Sequence, residues 1–309
     1  SGRIQDALSL LLIFQFLRES EQKYRNMVES STDWIWEVDK NWINIYCSPQ
    51  CESIVGYKPE EIVGKRPFDF MHPEEAKSIH DIVEVLLAEK KPIKLEIMVT
   101  HKEGHPIIIE TKGVPIFDEL ENVVGYRGVN RDITDRKRAE EQEKEHIFFL
   151  ESLDKVSQVI QHAKNLDNLL NEIARTMLTV LNCDRVWLLY PCNPEAPSWS
   201  VPIEKTKPEY PGAFKLNVEI PMTENMSKDL ENSLASDKPI IYSQGHNSPF
   251  NVDIFNQFNI QSQMCMPLFP KIGDSWLFGV HQCSHPRMWT MNDQHLFESI
   301  AQRLTDGLT

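Results

Sequence analysis

Three potential metal-binding side chains, His281, Cys283 and His285, lie within five residues of one another near the end of the chain. On an extended strand, side chains two positions apart point to the same face, so this spacing predicts that all three share a face. Imidazole and thiolate are usual axial ligands of haem iron, and a thiol can also attach the macrocycle covalently. The segment is therefore a candidate haem-binding site.

Other interpretations of this segment stay open. His281 and Cys283 are also typical of buried strand residues, since free cysteine is commonly buried, and His285 would then lie in a loop. A zinc site is less favoured, because the three residues alternate on one strand without a clear fourth ligand. Haem, another small ligand and no cofactor at all are each compatible with these residues.

Catalytic motifs are missing from the sequence. It contains no P-loop, no GxSxG, no HExxH and no kinase nucleotide-binding motif. The carboxylate pairs Glu60-Glu61 and Glu74-Glu75 stand at predicted helix starts, where acidic groups interact favourably with the helix dipole. We therefore expect this part of the protein not to be an enzyme.

Composition narrows the class of protein further. The chain has 309 residues, enough for about two domains, and its 41% hydrophobic and 25% charged residues are ordinary for globular protein. The net charge of −14 argues against a nucleic-acid or anionic-membrane partner. The longest apolar run, residues 8–17, is well short of the ~20 residues of a membrane span. Six cysteines without a CxxC pair are typical of reduced, cytoplasmic protein.

The first half of the chain predicts an antiparallel β-sheet with helices on one face. A helical segment runs to about residue 30, and five strands are predicted at residues 34–38, 44–47, 93–100, 106–117 and 123–133. Between the second and third strands, a helix from Pro73 is predicted to bury Ile79, Ile82, Val83 and Leu86, which follow helical spacing.

A junction closes this half of the chain. The last strand runs into Thr134, a suitable N-cap, and a highly charged helix follows. Several pieces in this order resemble a PAS sensory domain: Tyr24-Arg25-Asn26-Met27-Val28, Gly56-Tyr57, Glu60-Glu61-Ile62-Val63-Gly64-Lys65, His72-Pro73-Glu74-Glu75 and Asp132-Ile133-Thr134.

The PAS resemblance implies a second candidate cofactor residue. Oxygen-sensing haem PAS domains place their proximal histidine on the corresponding helix and follow it with aspartate, as in His80-Asp81. His80 lies toward the edge of the apolar stripe, however, and most PAS domains bind no haem. The flavin-binding Asn-Cys-Arg motif of light-sensing PAS domains is absent. A cofactor-free PAS domain is the alternative.

The helix after the junction changes character along its length. Residues 136–146 are polar all round except for Ala139, as in a helix that bridges domains. An apolar seam follows, formed by Ile147, Leu150, Leu153, Val156 and Ile160. The seam predicts either a two-stranded dimer interface or packing on its own domain, and different parts of the helix can serve both roles.

The second half of the chain predicts an α+β domain. Helices are expected at 166–181, 252–258 and from 291 onward, and strands at 185–189, 215–220, 239–242, 263–269 and 276–283, with a proline-rich loop over 191–211. Three pieces resemble a GAF domain over about residues 147–309: Asn182-Cys183-Asp184-Arg185-Val186, Met266-Pro267-Leu268 and Phe278-Gly279-Val280.

Residues 276–289 resemble the GAF domains of phytochromes and cyanobacteriochromes, in which the histidine at the place of His281 lies beside a bilin. The Cys-His pair that anchors the bilin is replaced by Ser248-Pro249-Phe250-Asn251, and the Asp-Ile-Pro motif reads Ile220-Pro221-Met222. A covalent bilin is therefore not expected. Some archaeal phytochrome-like sensor kinases are thought to carry haem in such a pocket, which adds to the haem hypothesis for His281, Cys283 and His285.

The sequence thus predicts an α+β chain with an N-terminal signalling helix (1–30), a PAS domain (31–134), a connecting helix (135–160) and a GAF domain (161–309). We expect the sensory input region of a two-component protein, homodimeric through its N-terminal and connecting helices. It would relay a ligand or redox signal to a downstream kinase. The alternatives are a cofactor-free interaction module and the regulatory region of a nucleotide cyclase or phosphodiesterase.

Overall fold

The computed structural model describes residues 14–23, 26, 28, 30–214, 219–243 and 252–308. Residues 14–23 are helical and exposed, while most of the other residues of the predicted N-terminal helix lie outside the described ones. The chain divides into two compact units, with the boundary between Glu143 and Lys144. None of the helices in the described part combines the length and the hydrophobicity that a membrane span requires.

The first unit contains the predicted five-stranded antiparallel sheet, in the order β2-β1-β5-β4-β3. Its strands are β1 (Trp34–Asp39), β2 (Asn44–Cys47), β3 (Ile93–Thr100), β4 (Pro106–Phe117) and β5 (Val123–Asp132). Helices α1 (Gln50–Val55), α2 (Pro59–Ile62) and α3 (Pro73–Ala88), with a 3-10 helix at Pro67–Phe70, connect β2 to β3.

The core of this unit follows the period-two alternation of β1. Trp34, Trp36 and Val38 are buried, and the residues between them are partly exposed. On α3 the predicted stripe is wrong at one position, because Ile82 is 40% exposed. Val83 is buried, and Leu87, four residues further on, packs against the core together with Ile79 and Leu86.

The junction is built differently from its prediction. Helix α4 (Thr134–His162) begins at Thr134 itself, so Thr134 is not the residue before the helix. The Asp132 carboxylate accepts a hydrogen bond from Thr134 N (2.8 Å), and Thr134 Oγ1 accepts one from Ile108 N on β4 (2.9 Å). Lys137 Nζ lies 2.7 Å from a Glu96 carboxylate oxygen on β3. The start of α4 is therefore tied to the sheet of its own unit.

The second unit contains a six-stranded sheet in the order β8-β7-β6-β11-β10-β9. Its strands are β6 (Arg185–Tyr190), β7 (Ser198–Thr206), β8 (Ile220–Pro221), β9 (Ile240–Ser243), β10 (Ser262–Leu268) and β11 (Trp276–Gln282). The helices are α5 (Leu166–Val180), α6 (Glu224–Leu234), α7 (Val252–Gln257) and α8 (Met291–Gly307). The described pairs are antiparallel, as predicted.

The predicted proline-rich loop is wrong in its centre, where the structure has strand β7. Pro202 lies in this strand at a register shift, where Leu188 pairs with Ile203 and Tyr190 with Ser200. Proline cannot donate a ladder hydrogen bond and is tolerated at bulges, so its presence does not prevent a strand here. Of the predicted strand over 215–220, Ile220–Pro221 is observed as strand β8, and residues 215–218 lie outside the described ones.

The apolar seam of α4 separates into two parts. Val156 is fully buried, and Leu153 and Ile160 pack with it into the core formed by α5, α8 and the sheet. Ile147 and Leu150, one to two turns earlier, are 48% and 51% exposed. Packing on its own domain is therefore observed for the later part, and a dimer interface stays a prediction for the earlier part.

Candidate functional site

A cavity of about 70 Å³, the His281 cavity, lies on the sheet face opposite to α5 and α8. Strands β6, β7, β10 and β11 and helices α6 and α7 contribute to its wall. The polar part of the wall contains Arg185, Glu204, Asp229, Ser233, Gln263 and His281. The rest is mostly apolar and aromatic and includes Trp187, Trp199, Leu230, Tyr242 and Phe258.

Strand β11 brings His281 to this cavity because both of its faces are buried. Phe278 and Val280 belong to the core between the sheet and helices α5 and α8. His281, one residue further, lines the cavity on the other face. Gly279 pairs with Trp187 of β6, and a Cβ atom on Gly279 would lie 2.2 Å from the Trp187 ring. The missing side chain leaves room for the indole to lie across β11, with its Nε1 2.8 Å from His281 Nε2.

Both ring nitrogens of His281 have polar neighbours. Nε2 lies 2.8 Å from Trp187 Nε1 and 2.9 Å from Gln263 Oε1, and Nδ1 lies 3.1 Å from Arg185 Nη1. Burial, together with the Arg185 charge, holds the pKa of His281 well below its usual value of 6.5. The imidazole is therefore neutral at pH 7 and is surrounded by hydrogen-bonding groups of its own domain.

Arg185 is the charged centre of the cavity wall and is almost completely buried. Its Nη2 donates to the carbonyl oxygens of Tyr210, Pro211 and Phe258 at 2.9, 3.0 and 3.2 Å. Its Nε lies 3.6 Å from the buried Glu204 carboxylate. These contacts fix the guanidinium in place and compensate its charge.

Two further residues with polar groups, Trp199 of β7 and Tyr242 of β9, line the cavity. Trp199 is 6% exposed, and within the described residues its indole N–H has no hydrogen-bond acceptor. Burial raises the pKa of Tyr242, so its hydroxyl stays protonated at neutral pH. A buried donor without a partner costs roughly 1–3 kcal/mol, which an acceptor in the cavity would recover.

The structure does not bring the predicted haem ligands together. His281 lines the cavity, while Cys283 is buried outside the cavity wall and His285 is exposed, with Nδ1 2.9 Å from Ser284 Oγ. Strand β11 ends at Gln282, so the period of two does not continue to His285. The expectation that all three side chains share a face is wrong.

Asp184, which stood out in the sequence only as part of a family motif, is the reason for this turn. Its carboxylate accepts hydrogen bonds from Cys283 N (2.9 Å), Ser284 N (2.8 Å) and Gln282 Nε2 (2.8 Å). Lys207 Nζ lies 2.7 Å from it. Burial opposes ionisation, but these donors outweigh it and hold the Asp184 pKa at about 2. An acid directly before a buried strand is the sequence signal that could have indicated this anchor.

The described residues around His281 do not fit a haem. Both imidazole nitrogens are engaged, and burial raises the pKa of the Cys283 thiol to about 11, which disfavours the thiolate. A cavity of about 70 Å³ is also small beside the roughly 300–1,000 Å³ of drug-sized ligand pockets. Residues 248–251, which replace the bilin-binding pair, lie outside the described residues.

The first unit has a cavity of the same volume, about 70 Å³, which we call the Trp34 cavity. Its wall is apolar and aromatic apart from Asn44, Thr111 and Asn130. Trp36 Nε1 donates to Asn130 Oδ1 (2.8 Å), and Asn44 Nδ2 donates to the Lys65 carbonyl (2.9 Å). The side chain of the predicted ligand His80 is 44% exposed and lies outside this wall, with its ring centroid 5.0 Å from that of Phe68.

Comparison with known proteins agrees with the two units. A family model described as the PAS fold matches residues 44–130, and the GAF domain model matches residues 165–306. The aerobic respiration control sensor protein ArcB of Escherichia coli is 25% identical over 114 residues, which are 37% of this chain and 15% of ArcB. The methanogenesis regulatory histidine kinase FilI of Methanothrix harundinacea is 28% identical over 125 residues, which are 40% of this chain and 14% of FilI.

A solved structure, the chromophore-binding domain of Stigmatella aurantiaca phytochrome P1, is 12% identical with a TM-score of 0.44, covering 90% of this chain and 94% of that one. The chain spans less than a fifth of the length of the curated relatives it matches.

The chain therefore contains a PAS domain followed by a GAF domain, as predicted. PAS and GAF domains are sensory domains, and the combination defines a sensory signalling module. The His281 cavity belongs to the GAF domain and the Trp34 cavity to the PAS domain.

Proposed function

We propose that the chain is the sensory input region of a larger two-component protein and that the His281 cavity is its ligand site. The supporting observation is that Trp199, whose indole N–H has no acceptor among the described residues, lines this cavity together with the buried ion pair of Arg185 and Glu204. The likeness to ArcB, a sensor protein, and to FilI, a histidine kinase, supports a kinase as the output domain.

The cavity defines the class of ligand. Its volume of about 70 Å³ is about half that of an engineered cavity of ~150 Å³ that binds benzene. The Arg185 charge is already compensated by Glu204, so an uncharged ligand is favoured over an anion. We infer a ligand of a few heavy atoms with a hydrogen-bond acceptor, which the Trp199 N–H and the Tyr242 hydroxyl would bind.

Strand β11 offers a route from this cavity to the helices. His281 lies on its cavity face, and Phe278 on its other face stacks on Phe297 of α8, with ring centroids 4.9 Å apart. A ligand that moves the imidazole would shift the strand and this aromatic pair. Helix α8 would pass the change toward the kinase.

Thermal unfolding with small neutral acceptors tests the ligand site. Acetamide, acetone and dimethyl sulfoxide are the probes, and at least one should raise the unfolding temperature of the native chain by preferential binding to the folded state. Trp199→Phe should lose this increase. Trp289→Phe is the matched control, because Trp289 is also buried with an unpartnered N–H within the described residues but lies outside the cavity wall. Equal responses of the two variants, or no response of the native chain, would contradict the proposal.

An absorption spectrum of the purified protein distinguishes the proposed small ligand from the haem that the sequence predicts at this site. We expect no Soret band, either as purified or after incubation with haemin. A Soret band that disappears in His281→Ala would instead support haem at this site and overturn the small-ligand proposal.

A second function, self-association, is favoured by the apolar surface of α4. Ile147, Phe148 and Leu150 are each about half exposed at the beginning of the second unit. We propose that this surface contributes to a homodimer, as the seam predicted. Leu150→Glu should lower the mass measured by light scattering, whereas Glu151→Gln, at the neighbouring exposed position, should leave it unchanged.

A further inference from the structure

The turn between β3 and β4 carries the sequence His101-Lys102-Glu103-Gly104-His105. Gly104 N donates to the His101 carbonyl and His101 N to the His105 carbonyl, both at 2.8 Å. Gly104 has a φ of +91°, in the left-handed region where glycine is favoured. The turn therefore places the two histidines opposite each other at the end of the hairpin, with Glu103 between them.

The three side chains converge at this turn. The imidazole rings of His101 and His105 are stacked, with centroids 4.2 Å apart, and Glu103 Oε2 lies 3.9 Å from His101 Nδ1. One potential ligand atom from each residue lies within 4.8 Å of the other two. In the described part of the chain, no other group of three histidine, cysteine or acidic residues meets this criterion.

The two ring nitrogens of His101 have different surroundings. A Cβ atom on Gly56 would lie 2.7 Å from His101 Nε2, so this nitrogen is directed toward the Gly56 backbone. His101 Nδ1 accepts a hydrogen bond from Glu103 N (3.1 Å), so the ring proton resides on Nε2 in the neutral form. The lone pair of Nδ1 is thus directed toward the turn, where it accepts the Glu103 N–H beside the Glu103 carboxylate, and a bound metal ion would replace this hydrogen bond.

The base of the turn is held by contacts that do not involve these ligand atoms. Lys102 N donates to the Val55 carbonyl (3.0 Å), and Lys102 Nζ lies 2.7 Å from a Glu61 carboxylate oxygen. The His101 side chain is only 16% exposed, whereas that of Glu103 is 80% exposed. A fixed histidine beside an accessible carboxylate and a second exposed histidine allows an ion to enter from solvent with small side-chain rotations.

We propose that this turn binds a divalent transition-metal ion through His101 Nδ1, the Glu103 carboxylate and a ring nitrogen of His105. Zn²⁺ is the ion that we expect it to prefer. Two imidazoles and one carboxylate are a set of three protein ligands that Zn²⁺ accepts, with water in the fourth position. Mg²⁺ and Ca²⁺ prefer oxygen ligands and are disfavoured. The site lies in the PAS domain and is independent of the His281 cavity, so either proposal can fail alone.

Calorimetric titration of the purified chain with Zn²⁺ tests the site. We expect one saturable site, which Mg²⁺ and Ca²⁺ do not compete for. His105→Asn should weaken Zn²⁺ binding by at least about 10–100-fold, the range already seen when only an outer-shell partner of a metal ligand is removed. Glu103→Gln should weaken it in the same direction.

Matched controls separate this site from scattered surface ligands. His146→Asn on α4 and Glu119→Gln at the β4–β5 turn change exposed residues of the same types away from the proposed site and should bind Zn²⁺ like the native chain. A second readout is Co²⁺, whose visible absorption should appear with the native chain and be lost in His105→Asn. Equal Zn²⁺ affinity of His105→Asn and His146→Asn, or no saturable Zn²⁺ binding by the native chain, would overturn the proposal.

Discussion

The PAS and GAF cavities have the same volume, about 70 Å³ each, but their polar groups differ in kind. In the Trp34 cavity, Asn130 accepts from Trp36, Asn44 donates to a backbone carbonyl, and the described part of the wall contains no titratable side chain. The His281 cavity instead contains a buried ion pair. Each wall also includes a tryptophan whose indole N–H has no acceptor among the described residues, Trp34 in the PAS domain and Trp199 in the GAF domain.

This difference shows that cavity volume alone does not indicate a ligand site. Polar groups that are hydrogen-bonded within the domain hold the sheet together, whereas an unpartnered buried donor reduces stability until an acceptor arrives. Both cavities are lined by a tryptophan whose indole N–H has no acceptor among the described residues, but the described wall of the His281 cavity adds charged and titratable side chains, and we therefore place the ligand site there.

The largest expected effect comes from the buried charge of the GAF cavity. Arg185→Ala would remove the buried positive charge beside Glu204 and the donors to three backbone carbonyls, and should lower the free energy of unfolding of the GAF domain by about 3–5 kcal/mol. Arg131→Ala in the PAS domain breaks the exposed pair with Asp33 and should cost far less. Urea denaturation measures both, and similar losses would contradict the contrast in burial.

Both cavities also have a tryptophan packed over a glycine. Gly279→Ala would place a Cβ atom 2.2 Å from the Trp187 ring and should destabilise the GAF domain by about 1–3 kcal/mol, with loss of the Trp187 contact to His281. In the PAS domain, Gly113→Ala would place its Cβ atom 2.7 Å from the outer edge of the Trp36 ring and should cost less. Chemical denaturation followed by tryptophan fluorescence tests this order.

The indole N–H groups offer a direct comparison of satisfied and unsatisfied donors. Trp36→Phe removes the partner of the buried Asn130 Oδ1, and this should cost roughly 1–3 kcal/mol in addition to lost packing. Trp199→Phe removes a donor that has no acceptor in the described residues and should cost less. A greater loss in Trp199→Phe would show that its N–H is satisfied in the folded protein.

The smallest expected effect is a pH dependence confined to the GAF domain. The folded-state pKa of His281 is depressed, so the unfolded chain binds the extra proton first as pH falls below about 6.5. The stability of the GAF domain should therefore fall with decreasing pH, by at most ~1.4 kcal/mol per pH unit from this residue. His281→Gln should remove this slope, which denaturation at several pH values between 7 and 5 would show. Asp184, with a pKa lowered to about 2, contributes a separate loss below its usual 3.8.

Much of the fold could be predicted because its signals are local. Each signal lies within a few residues of the chain. Examples are the alternation of Trp34, Trp36 and Val38, the apolar run of β11 and the acidic residues at helix starts. The proline-rich stretch around β7 was mispredicted because a strand with proline depends on the register of its neighbour, which is not a local property.

The sequence by itself determined the order of a PAS and a GAF domain, their strands, and the position of His281 on a doubly buried strand. Only the tertiary structure decided what surrounds that histidine, since its contacts with Arg185 and Trp187 join residues 96 and 94 positions apart. The same holds for Trp199, since its neighbours in sequence do not reveal that its indole N–H has no acceptor within the described ranges. Side-chain periodicity is set by the local backbone, but hydrogen-bond partners are set by how distant strands pair.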